Sequence, residues 1–477
     1  MKFQRVQFLA QQTIRQGFKL IRKYHKQPVS SLVRPSVSAI IIAGDQLFMI
    51  RRQNYLRAFP GYHAFPGGVI DPEDSENAEI PDCPQNIPMD HFHALCRELK
   101  EELGFDLLNA LQKGLIHEIS PFGNALTPAS NPVRYQTCFY KLVLSEKMRF
   151  LPDAGEIAWS GWATPRDFLK EYESGKILAV PPTLVAVERL AEDITVSGTG
   201  RLNPAVSPDE IFAIPFLSGI WQLMVASETL PPASTTNAFI LGDSPGRRFL
   251  IDPSPNSELE YQRLCRSLAK HEIDGIFLTH HHPDHHQQST RLARDLDKTM
   301  LLSHDTFQRI KEKWGRRYFR GVSVELVQEG CQLTWWKGQP VRVFEIPGHD
   351  EGQLGLAPDS MEWFLVGDLI QGLGTVVIAS PEGNMKKYFE SMERVISLNP
   401  AVIMPSHGIP SRGTTLLENT LKHRRMREKQ ILELLQSGKN RIQILKTLYQ
   451  DIPRLLYPLA WKNINAHLDK LQEEQQL

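Results

Sequence analysis

"FLTHHHPDHHQQ", residues 277–288, places five histidines and an aspartate within positions 280–286 of a chain that has 16 histidines in 477 residues. A solvated histidine tract lacks an apolar lead-in, whereas here Ile276, Phe277 and Leu278 come first and read as a buried strand. The histidines therefore leave the C-terminal end of a strand, where side chains project into a cleft. Neutral imidazole completed by a carboxylate is a common donor set for zinc and related ions. Alternation along an extended segment sends His280 and His282 to one side and His281 to the other, while Asp284 and His285 open the next turn.

One cluster cannot fill two metal sites, and three later stretches repeat the same strand-then-ligand layout. "VFEIPGHDEGQ" (343–353) carries His349 on a glycine-containing loop, and "WFLVGDLI" (363–370) places Asp368 just after Phe364, Leu365 and Val366. "AVIMPSHGIP" (401–410) places His407 after another apolar run. Taken singly, each is an ordinary loop residue; their order makes them a series.

That series resembles the metallo-β-lactamase fold hydrolases, whose pattern is H-x-H-x-D-H followed by a later His, an Asp and a final His. The resemblance covers roughly residues 205–415 and includes "FLIDPSP" with Asp252, which matches the family's early strand and turn. It implies that His280, His282 and His349 hold one metal, that Asp284, His285 and His407 hold the other, and that Asp368 bridges them. One departure stands out: where the family has x-G-G, this chain has His286-Gln287-Gln288. The implied chemistry is hydrolysis by water activated between two divalent ions, with zinc expected and iron or manganese also compatible with His/Asp ligands. Asp284 would both ligate and orient that water. Whether a thioester, an amide or a phosphodiester is cut is not written in the ligands.

The length suggests about three domains. Hydrophobic residues make up 41% and charged residues 23%, ordinary proportions for a globular protein. A formal net charge of zero argues against a chain-wide nucleic-acid footprint. Cys83, Cys96, Cys138, Cys265 and Cys331 form no C-x-x-C pair and read as packing residues in a reducing, cytoplasmic setting. No apolar run approaches the roughly 18 residues of a membrane span. From Met1 to Gly44 there is no acidic residue, and "RQGFKLIRKYHK" (15–26) is basic with apolar residues at helical spacing. Such a segment serves as a surface helix, a membrane-surface or nucleic-acid contact, or a transit peptide to an organellar matrix.

A second signal lies upstream. "GYHAFPGGVIDPED" (61–74) is followed by "HALCRELKEELGF" (93–105), where Glu98 and Glu102 share one helix face with Glu101 beside them. Clustered carboxylates repel unless a cation neutralises them, which suits Mg²⁺ or Mn²⁺. Together the pieces resemble the Nudix box, G-x5-E-x7-R-E-U-x-E-E-x-G-U. Gly68 fits its opening, and Arg97, Glu98, Leu99, Glu101, Glu102, Gly104 and Phe105 fit its end. Asp74 stands where the family has its first Glu, and the spacer to Arg97 is about 15 residues longer, a polar surface loop. Upstream, Arg52, Arg57, Gly61, Phe65, Pro66, Gly67 and Gly68 resemble the coenzyme A-directed Nudix pattern, which implies substrate binding by Arg52, Arg57, Gly67 and Gly68. Downstream, "DAGEIAWSGWATPRDFL" (153–169) and "ILAVPPTLVAVERLA" (177–191) look like the closing strand and last helix of that family, with Glu156 a further ligand or base.

"SGTGRLNPAVSPDE" (197–210) is rich in Gly, Pro and Ser and reads as a linker. After His407 comes a long helical pattern with His423, Arg424, Arg425 and Arg427, then two shorter helices, resembling the winged-helix-like tail of a metallo-β-lactamase branch that includes RNA-cleaving members. The expected architecture is α/β and α+β multidomain: a basic segment at 1–33, a Nudix α/β/α sandwich at 34–195, a linker at 196–210, a metallo-β-lactamase αββα sandwich at 211–415 and a helical tail at 416–477. The expected activity is two-fold: the front site cuts a diphosphate in coenzyme A, acyl-CoA or a nucleotide derivative, and the back site cuts a thioester or related bond. Two alternatives stand beside it: a back half that cleaves single-stranded RNA guided by the basic tail, and a chain in which one half is a non-catalytic binding module.

Overall fold

The apolar run Ala39–Ala43 in strand Val33–Ala43 sets the front half. The strand runs parallel to Arg134–Leu144 along its whole length, and from Ser36 to Ala43 it is buried on both faces. In this computed structural model, which describes residues 33–76, 83–128, 131, 134–198, 200–204 and 207–476, the strand lies central in a seven-stranded mixed sheet. The order runs from His63–Ala64 through Gln46–Arg52, Val33–Ala43, Arg134–Leu144 and Ile116–Leu126 to Gly200–Arg201, with Ile157–Ala163 also pairing Gln46–Arg52. Ala39 and Ile41 face helix Met89–Leu103, while Ile40 and Ile42 face helices Pro165–Glu173 and Pro181–Glu192, so the layers are α/β/α. Helix Met89–Leu103 forms because Phe92, Leu95, Leu99 and Leu103 make one apolar stripe, and it stops at Gly104, whose left-handed backbone lets its N–H reach Lys100 O.

The basic N-terminal segment and residues 77–82 of the long spacer lie outside the described residues. The stretch read as linker is partly knitted into the front half. Gly200–Arg201 pairs with Gly123 and Asn124, and Leu202 is fully buried among the apolar residues of Pro181–Glu192. Glycine and proline content signalled a loop here, but one buried leucine and two ladder residues suffice to pin it.

The back half stacks two sheets. The first has strands Ala213–Leu217, Ile220–Ala226, Thr235–Leu241, Phe249–Ile251, Gly275–Phe277, Thr299–Leu302 and Val324–Leu326 side by side in that order. The second runs from Gln332–Trp336 through Gln339–Glu345, Leu354–Pro358, Phe364–Gly367 and Val402–Pro405 to Ser411–Arg412. Phe239, Phe277, Val343 and Trp363 fill the space between the sheets, and helices cover both outer faces: Glu258–Leu268 and Ser289–Asp295 on one side, Met385–Leu398 and Thr415–Gln436 on the other. This is an αββα sandwich. The last three helices, Thr415–Gln436, Arg441–Leu448 and Tyr457–Glu473, enclose a separate small core around Ile431, Ile444, Ile464 and Leu468.

The two halves share core. Tyr62 and Leu178 of the front half belong to the same buried cluster as Trp336 and Val341. The Trp336 indole lies so close to Gly175 that a Cβ there would come within 2.4 Å of the ring, and its Nε1–H donates to Ser218 O at 3.0 Å. Trp336→Phe removes that hydrogen bond and part of a fully buried ring, so unfolding by denaturant is expected at a lower midpoint, with a loss of about 1–3 kcal/mol.

Candidate dinuclear metal centre and carboxylate site

The parallel strands Phe249–Ile251 and Gly275–Phe277 end side by side, and the residues that follow them build the base of the back-half site. Asp252 follows the first. Its Oδ1 accepts from the Thr279 N–H at 2.8 Å, and its Oδ2 accepts from Thr279 Oγ1 at 2.6 Å and from His285 Nδ1 at 2.8 Å. Its backbone is left-handed, with φ 48°, a strained conformation of the kind that collects at functional sites. Pro283 starts a single helical turn, Pro283–His286, which lifts Asp284 and His285 towards the strand ends.

The outward ring nitrogens are held by the protein. His280 Nδ1 lies 3.0 Å from Thr279 Oγ1, His349 Nδ1 3.1 Å from Val377 O, and His407 Nδ1 2.9 Å from Thr235 O. The inward atoms are not: His280 Nε2, His285 Nε2, His407 Nε2 and Asp368 Oδ1 are buried without a hydrogen-bond partner. Ligand atoms of His280, His282 and His349 lie within 4.8 Å of one another, as do those of Asp284, His285 and His407, and of His280, His285 and Asp368. Asp368 Oδ2 sits 3.5 Å from His349 Nε2 and 3.7 Å from His285 Nε2, while its Oδ1 sits 3.4 Å from His407 Nε2. The carboxylate therefore spans the two histidine sets. Unpartnered buried donors facing one point are costly unless something else occupies it, so this donor set fits a pair of divalent cations.

The electrostatics agree. Burial, then the surrounding imidazoles, hold His280 well below its ordinary pKa. Burial works against the imidazolium of His285 as well, yet Asp284, Asp252 and Asp368 outweigh it and raise that group. Burial would raise Asp284 and Asp368, but the neighbouring histidines hold both far below the usual carboxylate range. Asp252 touches His285 through the nitrogen opposite the site, a contact that sets tautomer and ring orientation. Asp252→Asn is expected to weaken metal retention by about 10–100-fold, measured by competition with a chelator.

The other two histidines of the cluster do different work. His281 turns away to pair with Asp350, and lies 3.6 Å from Glu382. His286 is locked between the Tyr318 hydroxyl at 2.6 Å and His281 O at 3.0 Å, with the Trp314 ring against it. Gln288, where the family has glycine, keeps a left-handed backbone with φ 59°, and its side-chain amide donates to Pro255 O at 2.9 Å. The turn is thus retained with a side chain tying it down. Glu382 had no strand-then-ligand signal in the sequence; a loop brings it to 3.3 Å from His282 Nε2.

In the front half, Glu102 Oε2 accepts from the Gly67 N–H at 2.8 Å, and the Glu98 carboxylate lies directly against Gly68. Arg97 grips Asp74 with two bonds, 3.2 and 2.8 Å, and also reaches Glu98 at 2.7 Å. Asp74 thereby forms a two-bond pair with the arginine despite the stretched spacer. Burial lifts Glu102 to about 8, the Gly67 N–H opposes the rise, and Glu98 and Glu156 add to it. Glu98 is raised in the same way by burial, against Arg97, with Glu101 and Glu156 contributing. Carboxylates that push one another's pKa up suit a divalent cation. Glu101 is set apart: it is 63% exposed and turned onto Arg97 at 3.4 Å. Arg52 projects its charge onto Glu102 and donates to Ala58 O at 3.1 Å, whereas Arg57 is exposed on the loop.

The basic cluster of the tail does not form one cationic face. Arg424 is buried and donates to Val376 O, Arg425 pairs with Glu393, and Arg427 donates to Leu448 O and stacks on Tyr449. Helical periodicity scatters consecutive residues around the axis, so adjacency in sequence did not become adjacency in space.

Three family models match the chain: the metallo-beta-lactamase superfamily over residues 231–407, the NUDIX domain over 32–180, and the beta-lactamase associated winged helix domain over 442–477. A Drosophila melanogaster protein, beta-lactamase-like protein 2 homolog, is 31% identical over 275 residues, 54% of this chain and 90% of that one. A hydroxyacylglutathione hydrolase of Bdellovibrio bacteriovorus is 25% identical over 179 residues, 37% of this chain and 64% of its own. The crystal structure of a metallo-beta-lactamase family protein from Thermus thermophilus aligns with TM-score 0.45 at 21% identity, over 54% of this chain and 94% of that one. The chain belongs to the metallo-beta-lactamase superfamily, with a Nudix domain in front of that fold and a winged-helix domain behind it. Both catalytic folds are hydrolase families, and the metallo-β-lactamase fold implies divalent metal. Among the described residues, no helix is long and apolar enough to cross a membrane.

Proposed function

We propose that the chain hydrolyses acyl-coenzyme A at two places, the front half at the diphosphate and the back half at the thioester. The observation that carries the back-half reading is the convergence of His280 Nε2, His285 Nε2, His407 Nε2 and Asp368 Oδ1, buried and unpartnered, on one space. His280, His282 and His349 would hold one ion, Asp284, His285 and His407 the other, and Asp368 both, with Zn²⁺ the expected metal and Fe²⁺ or Mn²⁺ able to use the same ligands. When bound, such a pair supplies a Lewis acid and lowers the pKa of water towards neutrality. Asp284 is the more open of the two site aspartates, with 17% of its side chain exposed against 6% for Asp368. That exposure suits it to orient the attacking water. In the front half, Glu98 and Glu102 would hold Mg²⁺ or Mn²⁺, Glu156 would stand as further ligand or base, and Arg52 would receive phosphate oxygens. Glu101 has to swing away from Arg97 to join them. The hydroxyacylglutathione hydrolase relative is named for an acylated thiol, which favours a thioester for the back half.

The test is product analysis by mass spectrometry after incubating the metal-loaded chain with an acyl-CoA. Acyl-phosphopantetheine plus adenosine bisphosphate, lost only in Glu102→Gln, supports the front-half reading. Free coenzyme A thiol, lost only in Asp284→Asn, supports the back-half reading. Unchanged acyl-CoA with the wild-type chain overturns both substrate assignments.

A further inference from the structure

Where the two halves meet, a group of polar side chains lies apart from both hydrolytic sites. Arg51 stands opposite His63 on one neighbouring strand and opposite Trp159 on the other, so the three share one face of the front sheet. Alternation puts Arg52 on the other face, where its charge reaches Glu102. The back half contributes Arg412. Its backbone N–H donates to Pro60 O at 3.2 Å, and its side chain lies over Gly61, where a Cβ would come within 2.1 Å of the arginine's own. Gly61 therefore lets the arginine of the other half close down. Arg412 then donates to Lys176 O at 3.0 Å. Asn54 is wedged beside both Gly61 and Gly413.

Several of these groups are unfinished. Arg51 Nε, Asn54 Oδ1 and His63 Nδ1 are buried without a hydrogen-bond partner, and His63 is only 8% exposed. The charges that act on His63 come from Arg412 and Arg51, and the one that acts on Arg412 comes from Arg51. No carboxylate forms an ion pair with either arginine among the described residues. Burial first, and then the two arginines, push His63 down to about 3, so its ring is a neutral hydrogen-bonding group. Two half-buried guanidinium groups beside a neutral imidazole are unfavourable unless an anion joins them. Beside them, the Trp159 indole lies across Gly161, where a Cβ would come within 2.8 Å of the ring, and it is 44% exposed with its centre 5.8 Å from that of His63. One aromatic face is therefore open next to the cations.

We propose that Arg51, Asn54, His63 and Arg412 form a phosphate-binding site at the junction of the two halves, with Trp159 as the platform for an aromatic base carried by that phosphate. Arginine forks match phosphate oxygens two at a time, and stacking on an open indole tolerates any base. A nucleoside monophosphate satisfies both parts, and inorganic phosphate satisfies the first. A ligand seated there touches both halves at once, so its binding stabilises their docking.

The experiment is a titration of the purified full-length chain with AMP, inorganic phosphate and adenosine at constant ionic strength, following Tm and binding heat. Wild type, Glu102→Gln and Asp368→Ala are expected to bind AMP and phosphate saturably, the latter two because both hydrolytic sites lie elsewhere. Arg51→Gln and Arg412→Gln are expected to bind both at least about tenfold more weakly, the loss of a charge-assisted hydrogen bond. AMP is expected to bind more tightly than phosphate, with the difference lost in Trp159→Ala. Should Arg412→Gln fail to fold, Arg51→Gln decides, since its Nε has no protein partner to lose. No saturable response in wild type, or an undiminished response in Arg51→Gln, overturns the site. A response lost in Glu102→Gln or Asp368→Ala but kept in Arg51→Gln also overturns it, by assigning the phosphate to a hydrolytic site. AMP and phosphate binding equally keeps the arginine site and removes Trp159 from it.

Discussion

Asp368→Ala is expected to strip the back half of its metal and, with it, of the hydrolysis proposed for it, while leaving the diphosphate cleavage proposed for the front half unchanged. The carboxylate lies between His349, His285 and His407, and each of its oxygens faces a different part of the donor set. Alanine removes the carboxylate that reaches both histidine sets and leaves five imidazoles with Asp284 as the remaining carboxylate of the donor set. A divalent pair held there would supply several kcal/mol of transition-state stabilisation, so the rate should fall roughly 10³-fold or more. The check is metal content by plasma mass spectrometry alongside thioester turnover. Full metal with full activity would sink the bridging role.

The second large effect separates two neighbouring glycines. Gly68→Ala would push a methyl group to within 2.2 Å of the Glu98 carboxylate, the far end of a flexible side chain. The protein can absorb this by moving Glu98, so the fold survives and the proposed cation site does not. A displacement of this size costs about 10²-fold in rate. Gly67→Ala meets backbone instead, 2.3 Å from Val37 O, at a φ of 141° that side chains avoid. Its damage is expected in Tm as well as in activity. Diphosphate hydrolysis and thermal unfolding, measured together on both variants, make the comparison; equal losses of Tm would refute the distinction.

Much of this was legible in the sequence because each candidate ligand announces itself locally. His280, Asp368 and His407 all follow short apolar strands; parallel pairing sets the strand ends before Asp368 and His407 side by side, and the stacking of the two sheets brings the end before His280 to them. The alternation that separates His281 from His280 and His282 was readable for the same reason. Glu382 and Asp350 were not, since they reach the cluster through loops whose path depends on the packed sandwich. Glu101 stood beside the Glu98 and Glu102 face as a third candidate ligand, but burial sets it apart from them, and burial is a property of the neighbouring layer. The tail's arginines failed in the opposite way: a run of charges in one dimension became separate contacts in three. Leu202 made the expected linker part of a sheet through one side chain.

The core shared by Tyr62, Leu178, Trp336 and Val341 bears on how such a chain can be divided. Gly175 has no room for a side chain because of a tryptophan that lies in the other enzyme, and Gly61 none because of Arg412. Neither constraint belongs to a Nudix or a metallo-β-lactamase fold in isolation. Cutting the gene between the two would expose an apolar wound on each piece and leave Gly61 and Gly175 serving no neighbour. The fusion is thus more than two domains on a tether: each half forms part of the other's interior, so a substitution at their border is felt on both sides.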